Sequence, residues 1–210
     1  KEGIRIDNSL DVVKIEKLHF WPFWSANQAV LDWTEGNGTG IASLRADNPM
    51  FSQLFLFAYR AGVSFAKSTC AGNCGITSKP KVSQLDCDFC GIGVEITGQG
   101  TRGVLLEQVS MQGNAGFGLG LNVAASDVSV ILNGGDFAVL TSNGVRAQGN
   151  NLAIQVSNTM VRDWNSSAAG FPAFELVSGS ANSVFQVGSS FVGNGRGAPT
   201  GSAGVTLSNV

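Results

Sequence analysis

Two aspartates, Asp88 and Asp136, occupy equivalent places in two similar segments of the chain. Each directly precedes a large apolar residue, Phe89 in one segment and Phe137 in the other, that ends a short run of alternating apolar and polar residues. Pairs of carboxyl groups cleave glycosidic bonds: about 6.5 to 9.5 Å apart they invert the anomeric configuration, and about 5 to 5.5 Å apart they retain it. The two residues therefore suggest a polysaccharide hydrolase. The alternative is that Asp136, which follows Asn133-Gly134-Gly135, is an ordinary turn residue.

Three further charged residues share another recurring position, one residue after an apolar residue that follows glycine or alanine. They are Glu95, Arg146 and Glu175. Arg146 and Glu175 are predicted neighbours on adjacent coils, where opposite charges contribute about 0.2 to 1 kcal/mol to stability. The alternative is a carbohydrate groove in which Arg146 binds a sugar carboxylate and Glu95 or Glu175 is the acid.

Aromatic residues could supply the flat apolar surfaces that bind pyranose rings. Trp164 is the main candidate, because the surrounding segment Arg162-Asp163-Trp164-Asn165-Ser166-Ser167 has the polar composition of an exposed corner. The tryptophans of the segment His19-Phe-Trp-Pro-Phe-Trp24 are predicted to pack in part under a loop, since large aromatic residues are more often core. His19 itself is a candidate for contact with substrate.

The four cysteines form two closely spaced pairs, Cys70-x3-Cys74 and Cys87-x2-Cys90. Two such pairs can provide the four thiolates of a zinc site, but a loop disulfide or free thiols are equally compatible with the spacing. Cys87 falls at the inward position that Leu18 and Val109 occupy, where a cysteine acts as a small hydrophobic residue. No cofactor other than this alternative zinc is predicted.

A repeated phrase of a small residue, an apolar residue, any residue and an apolar residue organises the chain. From Val63 onward, its first apolar residue returns every 24 to 31 residues, a period typical of solenoids. The earlier copies fit if Gly40-Ile41 starts a coil and residues 24–39 are looped out. The first apolar residues of the seven clearest copies are Ile4, Val63, Val94, Leu121, Val145, Phe174 and Val205.

A second set of segments follows in phase with the first and alternates with period two, the pattern of β-strands. The segments are 13–20, 82–89, 104–111, 128–137, 152–160 and 184–191. Glycine-, asparagine- and serine-rich corners separate the strands. Residues 48–59 fit either a helix or a strand. We therefore predict an all-β fold, a single-stranded right-handed parallel β-helix of about seven coils, as one domain over residues 1–210.

Stacking of the coils predicts columns of outward side chains about 4.8 Å apart. Alignment of the second segments on their closing residues places six polar residues in one column: His19, Asp88, Ser110, Asp136, Thr159 and Ser190. Asp88 and Asp136 are then two coils, or roughly 9 to 10 Å, apart. That separation favours inversion over retention.

Composition limits the function. The 13 basic residues are scattered and are outnumbered by 15 acidic ones, which argues against a nucleic-acid partner. No apolar run is long enough to cross a membrane. The chain begins without methionine and stops inside a coil, so we expect it to be part of a longer protein.

The segment Asp11–Trp24, DVVKIEKLHFWPFW, preceded by Gly3-Ile4-Arg5-Ile6-Asp7, resembles right-handed β-helix proteins of the pectate-lyase-like superfamily, particularly bacteriophage tailspike and tail-fibre proteins. The resemblance implies a depolymerase, hydrolase or lyase, or a glycan-binding segment, acting on bacterial surface or acidic polysaccharide. It also implies an extracellular or virion-tail location and a homotrimer. The alternative is a non-catalytic shaft or adhesin, because the Asn-x-Asp, Asp-Asp, Gly-His-Gly and Arg-x-Lys motifs of polygalacturonase-type enzymes are absent.

Overall fold

The structure is a computed structural model that describes residues 1–21, 27–70, 75–114, 118–177, 180–188, 190–192 and 205–207. Within these residues it contains one α-helix, α1 (Gln28–Asn37), and short β-strands on either side of it. The strands are β1 (Glu2–Ile6), β2 (Lys14–Phe20), β3 (Thr39–Ser43), β4 (Met50–Phe57), β5 (Ala61–Phe65), β6 (Lys81–Asp88), β7 (Ile92–Ile96), β8 (Val104–Gln112), β9 (Leu119–Val123), β10 (Ser129–Ala138), β11 (Val145–Ala147), β12 (Ala153–Arg162), β13 (Phe174–Leu176), β14 (Val184–Val187), β15 (Phe191–Val192) and β16 (Val205–Leu207).

Successive strands belong alternately to two parallel sheets. The first sheet has the order β1-β3-β5-β7-β9-β11-β13-β16, and the second has the order β14-β12-β10-β8-β6-β4-β2, with β15 also paired to β12. The chain thus winds as a parallel β-solenoid of about five turns, and short strands continue the ladders toward the C-terminal end. The predicted parallel β-helix fold is confirmed, with about five turns where the sequence predicted about seven coils.

The register of the first sheet follows the repeated phrase of the sequence. Its first apolar residues lie in one column, in the order Ile4, Ile41, Val63, Val94, Leu121, Val145, Phe174 and Val205. A glycine precedes most of them for a steric reason. A Cβ on Gly3, Gly40, Gly62 or Gly93 would lie only 2.7 to 2.8 Å from the carbonyl oxygen of the glycine one coil further on. We call the column formed by these glycines, one residue before the apolar column, the glycine ladder.

Strands of the second sheet bend at a residue with left-handed backbone. Gln53, Gln84, Gln108 and Asn158 all have φ between 51° and 55°, and Gly134 takes the same place in β10. The inward–outward alternation shifts there: in β8, Glu107 and Gln108 are both exposed. Each long strand is therefore two alternating segments joined at a left-handed corner.

The segment predicted to be looped out lies between β2 and β3, outside both sheets, and its residues 28–37 form α1, a helix that the sequence did not predict. Asn27 begins the helix by accepting a hydrogen bond from the backbone N–H of Ala29 at 3.0 Å, and Gly38 N–H donates to the Thr34 carbonyl at its end. Only Glu35 of the helix is buried, so the helix has no apolar stripe by which periodicity could reveal it. The ambiguous residues 48–59 contain strand β4.

Stacked apolar side chains fill the interior between the sheets. One column consists of Leu56, Cys87, Met111, Phe137 and Val161, each at most 1 % exposed. Cys87 points inward as predicted, but it aligns with Leu56 and Met111, and Leu85 is the residue that aligns with Val109. In the part of the chain that the structure describes, no helix is long and apolar enough to span a membrane.

Candidate functional site

The outward column that contains Asp136 differs from the predicted one. In register with one another are His19, Phe55, Asp86, Ser110, Asp136 and Met160. Asp88 lies one column further along, aligned with Phe57, Gln112, Ala138 and Arg162, and Thr159 is buried in the core. The prediction that Asp88, Thr159 and Asp136 share a column was wrong.

The error arose from two large apolar residues that do not point inward. Phe89 lies after β6 with φ of 56° and is 36 % exposed, and Met160 is 40 % exposed on the outer side of β12. An alignment on the large closing residues assumes that each of them lies in the core. It therefore places β6 and β12 out of register with the other strands of the sheet. Cys87 and Val161 occupy the inward positions instead.

Two adjacent outward columns form one continuous surface on the second sheet, after the left-handed corner. We call it the acid–aromatic face and define it by His19, Trp21, Phe55, Phe57, Asp86, Asp88, Phe89, Ser110, Gln112, Asp136 and Arg162. Aromatic rings occupy the first coils, and carboxylates with polar partners occupy the next ones.

The aromatic part of the face is built from stacked rings. Trp21 stacks on Phe57 with ring centroids 4.6 Å apart and planes 15° apart, and it lies 5.6 Å from Phe55. His19 packs edge-on against Phe55 at 4.8 Å, and Phe89 contacts Phe57 at 5.3 Å. Trp21 remains 38 % exposed, so a flat apolar surface faces outward here.

The carboxylates beside these rings differ in environment. Asp136 accepts two hydrogen bonds from Arg162, at 3.0 Å from Nε and 2.9 Å from Nη2, in a bidentate ion pair. The pKa of Asp86 is raised from its ordinary value, first by burial and then by the negative charges of Asp88 and Asp136. Burial also raises the pKa of Asp88. The face therefore holds one ion-paired carboxylate and two that favour protonation more than usual.

Strand geometry gives the spacing of these groups along the backbone. Asp86 and Asp136 lie two coils apart with Ser110 between them, which corresponds to about 9 to 10 Å. Asp86 and Asp88 lie two residues apart on one strand, about 6.6 Å, on the same side. Both separations leave room for a water molecule between carboxyl groups, as inverting hydrolysis requires.

Trp164 does not provide a sugar platform. It is only 4 % exposed, and its indole N–H donates to the Phe171 carbonyl at 3.1 Å. The neighbouring Asn165 is also buried, and its side-chain oxygen accepts hydrogen bonds from the backbone N–H groups of Gly170 and Phe171. Asn165 thus bonds to the backbone of this corner, and Ser167 donates to the Thr141 carbonyl on the preceding coil, so the polar composition reflects hydrogen bonds to backbone groups and the prediction of exposure was wrong.

Glu95, Arg146 and Glu175 lie in the predicted column of the first sheet, with Asn122 between Glu95 and Arg146. Arg146 and Glu175 are neighbours, and their Nε and Oε2 atoms are 3.4 Å apart. Glu95 is 9 % exposed and accepts hydrogen bonds at 3.1 and 2.8 Å from Arg60. Both acids are thus engaged in ion pairs between coils, which favours the structural interpretation of this column.

The cysteines do not form a four-thiolate zinc site. Cys87 and Cys90 are joined in a disulfide with their Cα atoms 5.9 Å apart. Cys70 lies in the preceding loop, and Cys74 is outside the described residues. No cluster of metal-binding side chains occurs among the residues that the structure describes. The disulfide encloses Asp88 and Phe89, and so it fixes the corner at which the acid–aromatic face ends.

Four important residues of the face escaped the sequence analysis: Phe55, Phe57, Asp86 and Arg162. The alternation in β6, Lys-Val-Ser-Gln-Leu-Asp-Cys-Asp, already places Asp86 and Asp88 on one side once Cys87 is taken as inward. The inward position predicted for Cys87 therefore already implied that its two neighbours, Asp86 and Asp88, point outward together.

Comparison of the chain with protein-family models, with curated proteins and with solved structures finds no match. Inference about function therefore depends on the acid–aromatic face.

Proposed function

We propose that the protein binds polysaccharide along the acid–aromatic face. The observation that supports this most is the continuity of stacked aromatic rings with carboxylates across successive coils. Flat aromatic surfaces pack against the apolar faces of pyranose rings, while carboxylates, Ser110 and Gln112 offer hydrogen-bonding groups for sugar hydroxyls.

The charge of the face favours a neutral or amine-bearing polysaccharide. Asp86, Asp88 and Asp136 carry three carboxyl groups, and Arg162 is the one guanidinium among the residues that define the face. A uronic-acid polymer would be repelled by these groups, since like charges in close juxtaposition oppose binding. The acidic polysaccharide implied by the family resemblance is therefore the less suitable ligand.

Binding is tested with a panel of neutral glucans, chitosan, polygalacturonate and bacterial capsular polysaccharides, by affinity electrophoresis and calorimetry. Trp21→Ala should weaken binding to the preferred polysaccharide at least tenfold, because it removes the outer ring of the stack. Trp33→Ala is the matched control, since Trp33 is 47 % exposed on α1 and is not one of the residues that define the face. Equal losses in both variants, or no binding to any polymer, would instead support a structural shaft.

A second candidate function, hydrolysis of the bound polysaccharide, is favoured by the raised pKa of Asp86 beside Asp136. Asp86 in its protonated form would donate its proton to the glycosidic oxygen as the bond to the anomeric carbon breaks. Asp136, oriented by Arg162, would accept a proton from the water that attacks that carbon from the opposite side.

Hydrolysis is tested by measuring new reducing ends. Asp86→Asn and Asp136→Asn should each lower the rate at least a hundredfold, the usual scale of general acid–base catalysis. Asp127→Asn, outside the face, is the matched control. New reducing ends accompanied by unsaturated-uronide absorbance would indicate a lyase. If the wild-type protein binds the polysaccharide but releases no new reducing ends, binding is its only function at this face.

We further propose an extracellular or virion location, as in tailspike-type β-helix proteins. The Cys87–Cys90 disulfide supports this, because disulfides persist mainly in oxidising environments.

A further inference from the structure

A second concave surface lies on the outer side of the second sheet, before the left-handed corner and apart from the acid–aromatic face. It is a groove of about 570 Å³ that runs across the strands from β6 to β14. One column of its lining is Lys81, Leu105, Ile131, Gln155 and Gln186. The parallel column contains Ser129, Ala153 and Val184, with Gly103 bonded to Ser129.

The groove is apolar although it is open to solvent. Ile131 and Val184 are 47 % and 57 % exposed, and both lie on outward positions where strands of a solvated sheet normally carry polar residues. Small side chains at Ser129 and Ala153 leave the space between the columns unfilled. The surface thus has the shape and the exposed aliphatic side chains of a site for an apolar chain.

Positive charge is confined to one end of the groove. Lys79 and Lys81 both line it at the β6 end and both are exposed. Neither forms an ion pair with any residue that the structure describes, whereas Lys14 on a preceding coil pairs with Glu16. An anionic group at this end would meet two ammonium groups without displacing a carboxylate.

We propose that this groove binds a single-chain amphiphile that carries a carboxylate, that is, a free fatty acid. The acyl chain lies across the coils along Leu105, Ile131 and Val184, and the carboxylate contacts Lys79 and Lys81. Four steps between coils span about 19 Å, enough for a medium-length acyl chain. The volume also falls in the range of small-molecule sites, about 300 to 1,000 Å³.

A second copy of the chain fits the groove less well. Stable protein interfaces bury about 800 Å² on each partner, and two exposed aliphatic side chains with the half-buried Leu105 are too few to supply the apolar centre of such an area. The second copy would moreover have to place two acidic side chains opposite Lys79 and Lys81, at the spacing of these two lysines.

Calorimetric titration of the full chain with dodecanoate, below its micellar concentration, tests the proposal. We expect saturable binding of one molecule per chain, at least tenfold tighter than binding of dodecyltrimethylammonium, which has the same alkyl chain and the opposite charge. Ala153→Phe, which fills the groove at an exposed position, should weaken dodecanoate binding at least tenfold.

Charge variants test the orientation of the ligand. Lys79→Asn with Lys81→Gln should weaken dodecanoate binding tenfold or more, and asparagine suits the left-handed backbone of Lys79, with φ of 49°. Lys67→Gln, an exposed lysine outside the groove, should leave binding unchanged. Circular dichroism melts verify that each variant is folded.

Three outcomes would overturn the proposal. The first is equal binding of the anionic and cationic amphiphiles, and the second is binding that Ala153→Phe leaves intact. The third is absence of dodecanoate binding; if light scattering then shows self-association that Ala153→Phe abolishes, the groove is assigned to contact between copies.

Discussion

Asp86 and Asp127 are two aspartates of the same solenoid whose pKa values shift in opposite directions. Burial and the charges of Asp88 and Asp136 raise the pKa of Asp86. Hydrogen bonds from Asn151 and Gln99, together with the charge of Arg102, lower the pKa of Asp127. Neighbouring side chains, more than residue type, decide whether a carboxylate on this surface favours or opposes folding.

Asp86→Asn should stabilise the protein at neutral pH. The folded state binds the Asp86 proton more tightly than the unfolded chain does, so ionisation costs stability above the ordinary value of 3.8. The gain should stay below about 1 kcal/mol, because the Asp86 carboxyl is desolvated only in part and the residue stays exposed enough for solvent to screen its charge. It should disappear as pH falls below 3.8, which melting temperatures measured between pH 3 and 8 would reveal.

Asp127→Asn provides the comparison with the opposite sign. Its carboxylate contributes stability above the ordinary value of 3.8, and that contribution is lost as pH falls through the lowered pKa. The variant should therefore melt lower than wild type at pH 7 and converge with it in acid. Equal signs for the two variants would contradict the opposite environments of these carboxylates.

Among the elements, the strands of the first sheet could be predicted from the sequence and those of the second only in part. A glycine, or Ala173 before β13, marks the phase of each strand in the first sheet, so the column from Ile4 to Val205 was predicted correctly. In the second sheet, two large residues, Phe89 and Met160, point outward, and the left-handed corner adds an outward residue to each strand. In this sheet, the size of an apolar side chain therefore could not indicate whether it points into the core or outward.

The helix was not predicted, and the disulfide was predicted only as one of three alternatives for the cysteines. α1 buries only Glu35, so it lacks the apolar period that identifies helices. The spacing of the cysteines was compatible with zinc, disulfide or thiols, and only the corner between β6 and β7 brings the Cys87 and Cys90 side chains together. The period of apolar residues thus predicts strands, but it reveals neither a helix without an apolar side nor the pairing of two cysteines across a corner.

The left-handed corner makes a prediction about Gln108. A side chain in the left-handed region costs about 1 to 2 kcal/mol, and β-branched residues tolerate it least. Gln108→Val should lower the free energy of unfolding by about 1 kcal/mol or more in urea titrations. Gln108→Asn should preserve it, because Asn158 already occupies the same corner two coils further on. Equal stability of the two variants would argue against a left-handed corner at Gln108.

At the scale of the whole molecule, each coil contacts mainly its two neighbours. In the second sheet, β8 pairs with β6 and β10, whereas β2 and β14 lie at the ends of the strand order. Stability in such an array is approximately a sum of coil terms and neighbour terms, so its ends open more easily than its middle.

Hydrogen exchange measured by mass spectrometry should follow this order. Amides of β8 and β10 should exchange at least tenfold more slowly than those of β2 and β14, since the central strands have hydrogen-bonded neighbours on both sides. Uniform protection across all four strands would show instead that the solenoid opens as a single cooperative unit.

The glycine ladder bears on how such a chain can change over evolutionary time. At Gly3, Gly40, Gly62 and Gly93, neighbouring coils fit closely because no Cβ meets the carbonyl oxygen of the next coil. A duplication or deletion that begins and ends at these glycines preserves that fit, whereas one with other boundaries places a side chain against a neighbouring carbonyl. Insertions and deletions of whole coils are therefore the changes in length that preserve the packing of this molecule. The outer surfaces can diverge independently of such changes.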